Sequence, residues 1–179
     1  MIGTMLITEN YKRLQSQLHA DNPAYGSASV FFAPAVAMAI EQENAIEILD
    51  YGAGKGRLIP ELNRLLPNRR LKFFLYDPAI PAWCDPVEPR EFVACIDVLE
   101  HIEPECLDAV LDDLQRLTAR AGFFTVHTGP AVKILADGRN AHLIQMPAEW
   151  WILEKLAPRF VCDMPYKIDN GFTVKVWKK

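Results

Sequence analysis

Three glycines alternate at Gly52, Gly54 and Gly56 in EILDYGAGKGRL, positions 47–58, directly behind an apolar run that ends in Asp50. Glycine is used where a backbone must turn tightly or let another group come very close. AIEILDY (45–51) reads as a buried strand, and GRLIPELNRLL (56–66) has apolar residues at helical spacing. Strand, glycine turn and helix make a βα unit. Its turn points unpaired N–H groups of the helix start at whatever lies above it.

The same alternation continues along the chain. LKFFLYD (71–77), EFVACIDVL (91–99) and AGFFTVHT (121–128) read as strands. PECLDAVLDDLQRLT (104–118) reads as a helix, with Leu107, Val110, Leu111, Leu114 and Leu117 on one face. Ahead of the glycine unit, residues 9–20 form a polar helical arm and SASVFFAPAVAMAIEQ (27–42) a helix in which Pro34 must sit early or cause a kink. After the last parallel strand, PAEWWILEKLAPRF (147–160) opens with proline at the first helical position. The tail alternates apolar and polar residues on both sides of Asp169-Asn170-Gly171, a hairpin signal. PAIPAWCDPVEPR (78–90) carries Pro78, Pro81, Pro86 and Pro89, too many for a helix and a strand, and is read as a covering loop.

Strands alternating with helices predict an α/β fold: a doubly wound, mostly parallel sheet with helices on both faces and a C-terminal antiparallel hairpin. At 179 residues, half of them hydrophobic, the chain has core enough for one domain. It divides into an N-terminal arm or lid (1–44), a core (45–129), and a loop, helix and hairpin (130–179).

In open parallel sheets, ligands bind beyond the carboxyl ends of the strands. A dinucleotide fingerprint GxGxxG would need a third glycine where Arg57 stands. Asp50, just before the loop, would face a pyrophosphate unfavourably and suits a cationic ligand instead. Asp77, ending the second strand, can accept hydrogen bonds from ribose hydroxyls. Asp77-Pro78 also reads as a plain turn start, and Asp97 as a helix cap.

ILDYGAGKGRL, LYDPAI and CIDVLEHI, in that order, resemble the class I S-adenosylmethionine-dependent methyltransferases, over about residues 45 to 129. The resemblance implies a Rossmann-like fold and S-adenosyl-L-methionine as cofactor. By that likeness Asp50, Tyr51, Gly52, Ala53, Gly54 and Gly56 hold its methionine end and Asp77 its ribose. Pro78 or Ile80 packs on adenine, and Asp97 and Val98 line the region of the sulfur. Asp85 is the acidic residue nearest the place where such enzymes hold the adenine amino group. The acceptor implied is a small molecule.

Methyl transfer from a sulfonium is an in-line displacement, so alignment and water exclusion matter most. A base is needed only where the acceptor loses a proton. His127, at the end of its strand, and His142, in the following loop, are the candidate bases. Tyr25, His101, Arg139, Asn140 and Trp150 are candidate acceptor contacts. Arg139 reads equally as a surface residue, His101 as a first-turn helix residue, and one of Trp150 and Trp151 as core packing. His19 reads as a solvated residue of the arm.

Other classes fit less well. A net charge of −4 lacks the basic face of a nucleic-acid binder, and no Asn/Asp-Pro-Pro-aromatic string follows the third strand. Cys84, Cys95, Cys106 and Cys162 match no disulfide or zinc spacing, so no metal and a reducing, cytoplasmic setting are expected. No apolar run is long enough for a membrane span. A cofactor-binding module without turnover and an NAD-type oxidoreductase are the alternatives. Nothing in the sequence addresses the oligomeric state.

Overall fold

A computed structural model describes residues 5–22 and 26–179. Its strands are β1 (Glu47–Tyr51), β2 (Lys72–Tyr76), β3 (Arg90–Ile96), β4 (Thr118–His127), β5 (Phe160–Cys162), β6 (Tyr166–Ile168) and β7 (Gly171–Lys178). They form one sheet in the order β2-β1-β3-β4-β7-β5, with β6 also on β7. The first four are mutually parallel; β7 runs antiparallel to β4 and accepts β5 and β6 along its other edge. This is the expected α/β sheet with its C-terminal hairpin. The hairpin turns at Asn170, whose φ is 53°.

The helices are α1 (Glu9–Asp21), α2 (Ala28–Glu43), α3 (Leu58–Leu65), α4 (Leu107–Leu117) and α5 (Ala148–Trp150), the last running into a π-helical segment, Trp151–Leu156. Strand side chains alternate between faces, and the two cores follow that period. Ile48, Phe92, Ala94 and Ile96 pack under α2 and α3, against Val36, Ile40, Leu58 and Leu62. Leu49, Val93 and Cys95 face the other way, against Leu107, Val110, Leu111, Leu114 and Trp151. Both faces of β1 and β3 are thereby largely buried, as the inner strands of a parallel sheet require, while β2 at the edge stays partly exposed.

Several boundaries differ from the sequence reading for local reasons. β3 stops at Ile96 rather than running to 99, because Asp97 turns into the left-handed region with φ 60° and Leu99–His101 forms a 3₁₀ turn. The 147–160 helix ends at Leu156, two residues before Pro158, a residue that can neither donate to a helix nor leave its predecessor freely helical. Phe160 then joins β5 instead. Pro34 lies inside α2, beyond its first turn. The proline-rich 78–90 stretch is a chain of turns leading to β3, with the Ile80 N–H donating to Asp77 O and the Trp83 N–H to Ile80 O. None of the described helices is long and apolar enough to cross a membrane.

The register sets the site. Tyr51 lies level with Tyr76 on one side and Cys95 on the other. The carboxyl ends of β1, β2 and β3 therefore open at one height, and the segments that follow them share one crevice.

Candidate functional site

The glycine loop is stapled to the end of β2. The N–H groups of Gly52 and Ala53 both donate to Tyr76 O, at 2.8 and 3.1 Å. Gly54 N–H donates to Asp77 Oδ2 at 2.9 Å, and Ala79 N–H to Asp77 Oδ1 at 2.9 Å. Gly52 and Gly54 have φ values of 75° and 51°, and a Cβ on Gly52 would fall 2.4 Å from Val98 Cγ2. Only glycine meets both demands at position 52.

Asp50 sits beneath this loop, 4 % exposed, and its Oδ2 has no hydrogen-bond partner among the described residues. Burial, reinforced by the neighbouring charge of Asp77, pushes its carboxyl up to about 7. A buried carboxylate in that state lacks a cation. Asp50, Gly52, Ala53, Gly54, Asp77 and Pro78 line a cleft of about 110 Å³ that Asp97 and Val98 close at the far side.

Helix α1 forms the roof. Tyr11, Gln15 and His19 recur every four residues on the face that meets the cleft. The arm is held by Thr8, whose N–H and hydroxyl both donate to Glu103, by the Tyr11 hydroxyl donating to His101 O at 2.6 Å, and by Ser16 Oγ donating to Ala79 O at 2.6 Å. Leu14 packs with Leu135 and Ala141, so arm and 131–143 loop share a small core of their own. This corrects the reading of His19 as solvated. Its ring lies 3.0 Å from where a Gly54 Cβ would be, and burial lowers its pKa.

A second cavity, of about 420 Å³, opens on the other side of Asp97 and His101, which belong to both walls. His127 and His142 line it as well, with Pro130 and Ala131 opposite. His101 and His142 rings meet edge to face at 4.8 Å between centroids, and His127 and His142 stack at 5.5 Å. His101 Nδ1 donates to Ala141 O and His142 Nδ1 to Gly129 O, both at 2.7 Å. A carbonyl can only accept, so each Nδ1 carries a proton. Burial lowers the His101 pKa to about 4, leaving it neutral near pH 7.

Asp97 is the hub. Its N–H donates to Thr125 Oγ1 at 2.9 Å, and its Oδ1 lies 3.2 Å from His127 Nε2. Glu100, fully buried, accepts the His127 N–H on Oε1 at 2.6 Å. Burial and the adjacent Asp97 raise the Glu100 pKa well above the carboxylate range.

The remaining predicted residues fall elsewhere. Tyr51 points into the core beside Tyr76, its hydroxyl near Asp113. Gly56 faces Leu75 rather than the cleft. Ala79, not Ile80, adjoins Pro78 in the cleft wall. Asp85 is exposed. Arg139 pairs with Asp137 and lies over Tyr11, outside both cavities. Asn140 acts inward: its Oδ1 accepts the N–H groups of Ala131 and His142, which holds the His142 loop in shape. Trp150 packs at the edge of the core against Trp151. Tyr25 lies outside the described residues. The sequence reading missed Tyr11, Gln15 and Glu100; the four-residue spacing on α1 was the available signal for the first two.

No family model matches this chain, and no curated protein does. Solved structures do match. A 1,6-didemethyltoxoflavin-N1-methyltransferase from Burkholderia thailandensis, bound to 1,6-didemethyltoxoflavin and S-adenosylhomocysteine, aligns with all of this chain and 93% of its own at 14% identity, TM-score 0.65. The mitomycin 7-O-methyltransferase MmcR aligns with 92% of this chain and 60% of its own, at 15% identity and TM-score 0.65. The DhpI complex with S-adenosylhomocysteine aligns with 96% and 98%, at 16% identity and TM-score 0.58. The chain thus spans about three fifths of the length of the mitomycin enzyme and nearly all of the other two. Sheet order, glycine loop and these alignments agree: the chain has the fold of the class I S-adenosylmethionine-dependent methyltransferases.

Proposed function

We propose that this protein transfers a methyl group from S-adenosyl-L-methionine to a small-molecule acceptor. The observation that carries the reading is the shared wall: the glycine-loop cleft and the larger cavity meet at Asp97 and His101. Donor and acceptor sites must adjoin in this way for an in-line displacement.

The residues of the cleft fit the cofactor's chemistry. Asp50 is a buried carboxylate short of a cation, which the cofactor's ammonium group matches. The bare loop at Gly52–Gly54 admits close approach, Asp77 presents acceptor oxygens toward sugar hydroxyls, and Pro78 and Ala79 offer an apolar surface to the base. Bound there, the cofactor supplies a methyl group already activated by its positive sulfur. Ligand sites are commonly about 300–1,000 Å³, whereas the cleft under α1 encloses about 110 Å³. The arm that carries Tyr11, Gln15 and His19 therefore has to shift to admit a whole nucleoside, and its return excludes water. On this reading the arm acts as a lid.

On the acceptor side, His127 is the residue positioned to hold a proton. Its Nε2 faces Asp97 at 3.2 Å, the carboxylate-oriented imidazole of a general base. Calorimetry with S-adenosylhomocysteine (SAH), followed by a product assay over small hydroxyl, amine and ring-nitrogen acceptors, tests the reading. SAH binding with methylated product supports it. Binding without turnover on any acceptor favours a cofactor-binding module instead. Stabilisation by NADH rather than SAH would favour an oxidoreductase; a ligand at a hundredfold its Kd adds roughly 2.7 kcal/mol, readily seen in a melt.

A further inference from the structure

The sequence reading assigned no metal to this chain. The tertiary structure brings together a donor set that the cysteine spacing could not reveal. We infer that Asp97, His101 and His142 form a binding site for a divalent first-row transition cation at the junction of the two cavities. This deepens the proposed function and rests on it for the cation's purpose, though not for its binding.

Three observations carry the inference. One ligand atom from each of Asp97, His101 and His142 lies within 4.8 Å of the other two. Bonds of about 2.1 Å to such a cation place its ligand atoms roughly 3–3.5 Å apart, so binding draws the three groups closer together. Next, both imidazoles are oriented from behind. Each Nδ1 donates to a main-chain carbonyl, Ala141 O or Gly129 O, so both rings are held in a defined orientation. Metal-binding histidines are held this way, and Asn140 adds a further brace by fixing the His142 main chain. Finally, Asp97 sits in a left-handed conformation, φ 60°, uncommon for a residue other than glycine. That turn points its carboxylate into a wall shared with two imidazoles. Two neutral nitrogens and one carboxylate select manganese, iron, cobalt, nickel or zinc over magnesium or calcium, which prefer oxygen alone.

The site opens toward the 420 Å³ cavity. A cation there has coordination positions left for the acceptor. The acceptor class this favours is one with adjacent oxygen or nitrogen donors, able to chelate. His142 then serves as a ligand rather than as the base expected from the sequence, and His127 keeps the proton-holding role.

The test uses the full chain, free of any purification tag and dialysed against a chelator. Cobalt(II) is titrated in and followed by its visible absorption and by calorimetry, with zinc(II) as competitor. The expected result is one cobalt ion per chain, displaced by zinc, with affinity at least tenfold weaker in His142→Ala and in His101→Gln and unchanged in Cys84→Ser. Absence of saturable binding, or equal affinity in the histidine variants, overturns the inference. Where His142→Ala fails to fold by circular dichroism, His142→Gln takes its place. SAH calorimetry on the same samples separates the two readings. SAH binding without cobalt binding overturns the cation site alone; cobalt binding without SAH binding overturns the cofactor reading and leaves the cation site standing.

Discussion

Asp77 accepts the Gly54 N–H on one carboxylate oxygen and the Ala79 N–H on the other, each at 2.9 Å. One side chain thus ties the glycine loop after β1 to the turn after β2. Its proposed role toward ribose hydroxyls is added to a structural one. Asp77→Ala strands two main-chain donors in a buried place, costing about 1–3 kcal/mol for each one left without water. SAH affinity falls by at least about tenfold, or ~1.4 kcal/mol. Calorimetry and a thermal melt on the same variant check both; an unchanged SAH affinity would contradict the ribose assignment.

Asp50 makes ligand binding depend on pH. Its folded pKa, about 7, lies above the ordinary 3.8. The folded protein without ligand therefore holds a proton that the unfolded chain has lost between those two values. The stabilisation this gives is full below 3.8 and disappears as pH rises to about 7. A ligand ammonium beside Asp50 favours the ionised form, so SAH binding strengthens from about pH 6 to about pH 8 and releases a proton on the acid side. Calorimetry in buffers of different ionisation enthalpy reads that proton. In Asp50→Asn both trends flatten, and a wild-type slope surviving in that variant would rule out Asp50 as their source.

Gly52 carries two separable constraints, a φ of 75° and a Cβ position 2.4 Å from Val98 Cγ2. Gly52→Ala pays both, about 1–3 kcal/mol in all. In a Val98→Ala background the clash goes and the backbone strain stays. A double-mutant cycle by urea denaturation should show a smaller cost for Gly52→Ala in that background. Equal costs in both would mean that Val98 yields freely and that conformation alone demands glycine.

Tyr11 links the arm to the wall between the cavities. Its hydroxyl donates to His101 O and accepts from Gln15 Nε2, both at 2.6 Å. Tyr11→Phe removes both bonds and costs about 1–3 kcal/mol. Hydrogen exchange across Glu9–Asp21 should speed up in this variant while the amides of β1 and β3 keep their protection. Uniform acceleration through the sheet would show that the arm is not a separate unit.

Much of this molecule is written in local pattern. Largely apolar runs such as Glu47–Tyr51 and Arg90–Ile96 declare buried strands, because packing on both faces favours apolar side chains along most of their length. Glycine at 52 and 54 and acids at 50 and 77 declare the cleft, since turn geometry and strand ends are short-range properties. The hairpin at Asn170 follows from its turn residues. Where propensity met a neighbour-specific constraint, as at Asp97 or before Pro158, boundaries moved by a few residues. What pattern could not supply is which distant side chains face one another. Residues 97, 101, 127 and 142 come from three separate segments, and His19 and Tyr11 reach the cleft on an arm whose Leu14 docks on Leu135 and Ala141. Such pairings depend on sheet order and on how loops pack across it. Burial then changes the chemistry of residues whose identity was plain from the start, raising Asp50 and Glu100 and lowering His101.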